Sequence, residues 1–265
     1  MRLTGASVSE VGPRRSVNQD AAFTASWGAA VADGVGGGPA GDLASAALVH
    51  RLVAGVQREI GEERLHTRIR LANWDLRAHT ARDSALAGMA TTLTGVFVDV
   101  EPERLLLAHV GDSRAYRLRG GDCRRMTRDD SYVQELVDRG IVAPENAWSH
   151  PRRNIITASY SGNERDIVRI ESHDAQEGDR WLLCSDGVTD YVPEDLVADV
   201  LRAATSPADA ATELVRLADD AGSADNITAV IVDVQAGETL SDRARFSGAA
   251  SARFCEEPDD LDRTA

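Results

Sequence analysis

The sequence predicts an α+β layered fold, in which helices cover antiparallel strands. Two observations carry this. Stretches with helical apolar spacing and stretches with strand-like patterning both occur, but they do not follow one another as strand, helix, strand. Three strand-like runs between residues 92 and 119 are also joined by connections too short for crossover helices, which implies antiparallel pairing.

The elements follow in order. Residues 3–11 alternate weakly and read as a first strand. Residues 22–32 read as a strand pair or as one strand with a bend. Residues 42–60 are helical, with Leu43, Ala46, Ala47, Val49, Leu52, Val53 and Val56 on one face. A second helix, rich in Arg and Ala, covers 62–82. The runs 92–100, 104–111 and 114–119 form a predicted meander, with Pro102 between the first two and Gly120-Gly121 ending the third. A short helix is expected over 131–139, and irregular chain over 140–165, which holds Pro144, Pro151 and Gly162. Strands return at 166–170 and 181–185. Helices follow at 194–204 and 207–221, the latter opened by Pro207. A strongly apolar strand at 227–234 closes the pattern. From 237 the periodicity ends, so residues 1–236 are expected to form the folded domain and 237–265 a disordered tail.

A chain of 265 residues suits one large domain or two small ones, and 43% hydrophobic residues supply its core. The net charge of −14 argues against nucleic-acid partners, which need a basic face, and against anionic membranes. All 29 basic residues are Arg, so no lysine is available for a Schiff base or a P-loop. Cys123, Cys184 and Cys255 are far apart, odd in number and without a CxxC pair, so neither a disulfide framework nor a zinc site is expected. The first residues lack a signal-peptide pattern, and no run approaches the ~20 apolar residues of a membrane span. The expectation is a soluble, cytoplasmic protein.

Four segments share one chemical form, an Asp at the end of an apolar run, in most cases beside Gly. They are Asn18-Gln19-Asp20, Ala32-Asp33-Gly34, Val110-Gly111-Asp112-Ser113 and Ser185-Asp186-Gly187. A fifth, Ala224-Asp225-Asn226, precedes the last strand. One Asp-Gly pair is usually only a turn. As a set at strand ends, the carboxylates are able to converge, and like charges that converge need cations. Oxygen ligands select magnesium or manganese over zinc. The neighbouring glycines would let the backbone bend and expose carbonyl ligands. Arg15, five residues before Asp20, offers a guanidinium suited to a phosphate, although a surface Arg is the commoner fate.

Eight blocks, in order, resemble the type 2C family of metal-dependent protein phosphatases in its compact bacterial form. They are RSVNQDA, VADGVGGGPAGDLAS, GMATTLT, LAHVGDSRAYRLR, MTRDDSYVQELVDRG, SHPRRNIIT, LLCSDGVTDYV and DNITAVIV, spanning about 12–234. The resemblance implies a four-layer αββα sandwich, two central antiparallel sheets flanked by helices. It also implies hydrolysis of phosphoserine and phosphothreonine in proteins by a water held between two Mg²⁺ or Mn²⁺ ions. Asp33 would bridge the two central ions, with the Gly34 carbonyl as a ligand. Asp186 and Asp225 would complete one shell, and Asp112 with Asp186 would hold a third, weaker ion. Asp20 would act through bound water, and Arg15 would grip the substrate phosphate. Residues 131–151 correspond to a flap beside the cleft that influences substrate choice. Phosphorylated proteins are the implied substrates, a Ser/Thr kinase the implied opposing partner, and a monomer the expected state.

Two positions depart from the family pattern. Gln19 is neutral where a Glu is usual, which would weaken support for one ion. Val35 stands where eukaryotic members often carry His. A catalytically weak binding or sensor module is the rival reading. Plainer roles are expected elsewhere: His109, Trp181 and Cys184 in the core, Thr91 and Thr92 in packing and turns, His150 in positioning its loop, and Asp190 at the start of the next helix.

Overall fold

The computed structural model describes residues 1–35, 40–56, 58–240 and 243–253. Eleven strands occur among them: β1 Arg2–Glu10, β2 Asp20–Ala25, β3 Gly28–Asp33, β4 Leu93–Val98, β5 Arg104–Val110, β6 Arg114–Arg119, β7 Asp122–Arg125, β8 Arg169–Asp174, β9 Arg180–Cys184, β10 Ile227–Gln235 and β11 Arg245–Gly248. The helices are α1 Gly41–Val53, α2 Glu62–Arg82, α3 Tyr132–Asp138, α4 Asp186–Thr189, α5 Glu194–Ala203, α6 Pro207–Asp220 and α7 Ala249–Ala252. Single 3₁₀ turns lie at Ser84–Leu86 and Pro144–Ser149.

One sheet runs β1-β10-β9-β6-β7, the other β11-β2-β3-β4-β5-β8. Every neighbouring pair is antiparallel. Three apolar clusters separate the layers. Between the sheets lie Ala22, Val31, Val96, Leu183, Val230 and Val232. Their chain neighbours point the other way, because strand side chains alternate. Ala21 and Phe23 pack toward α1 and α2; Leu182, Cys184 and Ile231 pack toward α5 and α6. With both faces of each sheet covered, the central strands read as continuous apolar runs. The result is the four-layer αββα sandwich.

Four expectations need correction. The predicted meander holds only for β4 and β5; β6 crosses to the other sheet. Gly111 makes the crossing with φ +106, a conformation that disfavours residues with a side chain, and a Cβ there would meet Thr92 Cγ2 at 2.6 Å. The eighth strand lies at Arg169–Asp174, later than the predicted 166–170, and the first helix ends at Val53 rather than near 60. Within the tail predicted to be disordered, residues 245–252 form β11 and α7. β11 pairs with β2 from Arg245↔Thr24 to Gly248↔Ala21, and Ala249 and Ala250 are buried against the α1 side of the core. Residues 254–265, the rest of that tail, lie outside the described residues, as does Cys255. Cys123 and Cys184 are free. Among the described residues no helix is long and apolar enough to cross a membrane.

Candidate active site

The strand termini that carry the five aspartates lie at one end of the sandwich. Asp20 opens β2 and Asp33 closes β3, and the two are register partners. Asp112 sits in the crossing from β5 to β6. Asp186 follows β9, and Asp225 precedes β10; Cys184 pairs with both Ala229 and Arg114, which places these ends side by side. Asp20 is 1% exposed and Asp112 8%, whereas Asp33, Asp186 and Asp225 keep partial access to solvent.

The glycines beside the aspartates serve close approach. A Cβ at Gly34 would lie 2.3 Å from the Gly41 carbonyl oxygen, and one at Gly187 1.9 Å from that of Asn226. Neither has a positive φ. The sharp bend expected of these glycines occurs at Gly111, the neighbour of Asp112.

The backbone of Asp33 is gripped by hydroxyls and amides. Its N–H donates to Thr92 Oγ1 at 3.0 Å, and its carbonyl accepts from Thr91 Oγ1 at 2.9 Å and from the Thr92 N–H at 2.8 Å. Thr92 Oγ1 lies 2.6 Å from Ser113 Oγ, and Thr94 Oγ1 donates to the Ser113 carbonyl while meeting His109 Nδ1 at 2.9 Å. His109 is buried in this network, with Nε2 2.9 Å from the Arg128 carbonyl. Burial lowers its pKa. Thr91 and Thr92 therefore do more than pack: they fix the backbone that aims Asp33.

Gln19 forms a second hub. Its N–H donates to Asn226 Oδ1 at 2.9 Å, and its carbonyl accepts from the Gly34 N–H and Ser45 Oγ. Asn226 also donates to the Val11 and Val17 carbonyls. Asp20 Oδ2 accepts from Ser185 Oγ at 2.7 Å. Arg15 donates through Nη2 to Asp225 Oδ2 at 2.6 Å, so the predicted phosphate ligand is paired with a predicted metal ligand.

The electrostatics of this end are those of crowded, buried carboxylates. Asp33 and Asp186 are raised well above the usual carboxylate range, first by burial and then by repulsion. For Asp33 the repelling groups are Asp20, Asp186, Asp112 and Asp225. Burial raises Asp20 to about 6 against the pull of hydrogen bonds from Thr228 and Ser185. Burial, with repulsion from Asp129, raises Asp112 to about 7. Oδ1 of Asp20, of Asp112 and of Asp186 are buried without a hydrogen-bond partner. Buried polar atoms are normally satisfied, so such orphans mark places where an ion or water belongs. Every available donor is oxygen, which fits magnesium or manganese. Among the described residues no group of three Asp, Glu, His or Cys side chains is placed to hold an ion by itself. A hard ion that keeps several of its waters does not require one.

A cavity of about 690 Å³ adjoins the acidic end, between the flap and the chain after Asp186. Asp112, Asp186 and Asp190 line one part of it. Asp190 does not cap α5, whose preceding residue is Pro193. It accepts instead from Arg153 Nε at 3.0 Å and ties the chain just after the flap to the end of α4. Arg114 grips Asp129 through two nitrogens, and Arg169 grips Asp130, which also accepts from the Gly111 N–H. These pairs fasten the start of the flap to the crossing that carries Asp112. The sequence reading missed Ser185, Asn226, Asp129 and Asp130, although all four lie inside the quoted motif blocks. His150 accepts from the Arg152 N–H within the flap, and Trp181 and Cys184 are fully buried.

Residues 12–226 match the Protein phosphatase 2C family. The chain is 37% identical over 235 residues to the serine/threonine protein phosphatase PstP of Mycobacterium tuberculosis, covering 88% of this chain and 45% of that protein. It is thus similar to about half the length of that relative. Protein phosphatase PhpP of Streptococcus pneumoniae is 33% identical over 238 residues, covering 86% of this chain and 96% of PhpP. The PstP catalytic domain in complex with two manganese ions superposes with a TM-score of 0.81 at 35% identity, covering 89% of this chain and 99% of that one. The chain belongs to the protein phosphatase 2C family.

Proposed function

We propose that this protein hydrolyses phosphoserine and phosphothreonine in proteins, using Mg²⁺ or Mn²⁺. The observation that carries the proposal is the acidic end itself: five aspartates from five strand ends, three of them with buried oxygens that have no partner, in a chain of this family. Asp33, the Gly34 carbonyl, Asp186 and Asp225 would hold two central ions, and Asp112 with Asp186 a third, weaker one. Asp20 and Gln19 would support bound water. The two manganese ions of the mycobacterial structure support this count. When bound, such ions offset the carboxylate charge and activate water for attack on phosphorus.

The chain's own residues supply the framework. Thr91 and Thr92, the latter held by Ser113, fix the backbone of Asp33 and so preorganise the position from which its carboxylate acts. Arg15 offers paired N–H donors to phosphate oxygens, exchanging Asp225 for the substrate. Likeness to proteins named serine/threonine phosphatases favours this enzyme over a binding module. A cytoplasmic location and an opposing Ser/Thr kinase belong to the same proposal and rest on that likeness.

The purified protein should release phosphate from a phosphothreonine peptide with Mn²⁺ and stop when a chelator is added. Asp33→Asn and Asp186→Asn should lower turnover by about 10³-fold or more without loss of fold, as expected when an electrostatic group of this kind is removed. No release with any divalent ion would refute the proposal.

A further inference from the structure

The cavity beside the acidic end has a second, apolar part. Val133, Val137 and Trp148 of the flap face it from one side, and Tyr191, Val192 and Pro193 from the other. Trp27 and Trp181 are fully buried, whereas Trp74 and Trp148 are exposed, and of these two Trp148 lines the cavity. An open aromatic beside a cleft is a common anchor for a bound partner. The same flap leaves Ile141 exposed.

The charges around this cavity select its occupant. Its three arginines are engaged: Arg114 and Arg125 with Asp129, and Arg153 with Asp190. Five carboxylates line it, those of Asp112, Asp129, Asp186, Asp190 and Glu194. Each lining arginine is already paired with a carboxylate, so none is left to receive an acidic side chain. An apolar side chain would displace water from the walls.

We propose that this groove seats a large apolar side chain within a few residues of the phosphorylated serine or threonine. The enzyme then favours phosphoproteins with Leu-, Met- or Phe-type residues flanking the site and disfavours acidic flanks. The proposal rests on the phosphatase reading and gives it a substrate class.

The test uses three phosphothreonine peptides of one length, with Leu, Gly or Glu at the two positions on either side, assayed with Mn²⁺. The kcat/KM values should fall in the order Leu, Gly, Glu, with Leu about tenfold above Gly, the ratio expected from burying one such side chain. Trp148→Ala should bring the Leu-to-Gly ratio close to one. General damage to the fold would lower all three rates together and keep the ratio. Equal rates across the wild-type series, or a ratio that survives Trp148→Ala, would overturn the proposal. p-Nitrophenyl phosphate separates the two readings. If it is hydrolysed while the peptides show no order, the groove assignment fails and the phosphatase stands. If neither it nor any peptide releases phosphate, both fail.

Discussion

Ser185 donates its hydroxyl hydrogen to Asp20 Oδ2 at 2.7 Å, joining the end of a strand in one sheet to the start of a strand in the other. Ser185 is fully buried, and its oxygen also accepts from the Thr228 N–H at 3.1 Å. Ser185→Ala would take one hydrogen bond from the buried Asp20 carboxylate, whose Oδ1 already has no partner. An unsatisfied buried acceptor costs about 1–3 kcal/mol. The variant should unfold at lower denaturant and need severalfold more Mn²⁺ for half-activation, with kcat less affected. Unchanged Mn²⁺ dependence would show that Ser185 serves packing alone.

The raised carboxylates make stability depend on pH when no metal is bound. Asp112 stands at about 7 in the folded protein against an ordinary 3.8, so between these values the folded state binds more protons than the unfolded state. Stability contributed by the protonated group is present below about pH 4 and is lost as pH rises through 7. In chelator, Asp112→Asn should therefore match the wild type near pH 4 and exceed it near pH 8, by up to about 4 kcal/mol for three pKa units. With Mn²⁺ the order should reverse. Urea unfolding at both pH values measures this; a pH-independent difference would contradict the burial of an ionisable Asp112.

Gln19 places its amide at the start of α1, where a Cβ on Gly41 would lie 2.9 Å from Nε2. A helix N-terminus favours negative charge. Gln19→Glu should accordingly be tolerated by the fold and lower the Mn²⁺ concentration for half-activation by about threefold, the scale of one such charge. Titration of activity against Mn²⁺ decides it, and weaker activation would reverse the role assigned to Gln19.

The acidic residues were legible in the sequence because each follows an apolar run and most carry a glycine that the packing demands. The residues that position them were not. Ser185 between Cys184 and Asp186 has no pattern of its own, and its link to Asp20 depends on which strands become neighbours. The departure of β6 from the predicted meander has the same origin: a short connection shows that strands are antiparallel neighbours in sequence, but Gly111 alone does not show that the next strand changes sheets. β11 escaped notice because four residues, Arg245 to Gly248, are too few to display a period. Its place is fixed by pairing with β2 and by contacts such as Ser7 Oγ with Ser247 Oγ at 2.6 Å.

That last strand reaches the site. Gly248 has φ +64 and ψ −142, and a Cβ there would lie 2.2 Å from the Asp20 carbonyl oxygen and 2.7 Å from Ser9 Oγ. The first contact is with backbone held in a paired strand and has no means of yielding. Gly248→Ala combines a disfavoured conformation with overpacking, each worth about 1–3 kcal/mol. Two outcomes should appear together: a loss of roughly 2–4 kcal/mol of stability, and weaker Mn²⁺ activation, because strain at Gly248 bears on the strand that opens with Asp20. His50 supplies the control. Its ring stacks on Phe246 at 4.3 Å, on the same C-terminal segment but away from Asp20. His50→Ala should therefore loosen the segment and lower stability with a smaller change in Mn²⁺ activation. If Gly248→Ala shifts stability and leaves Mn²⁺ activation at the wild-type value, β11 closes the sheet without setting the position of Asp20.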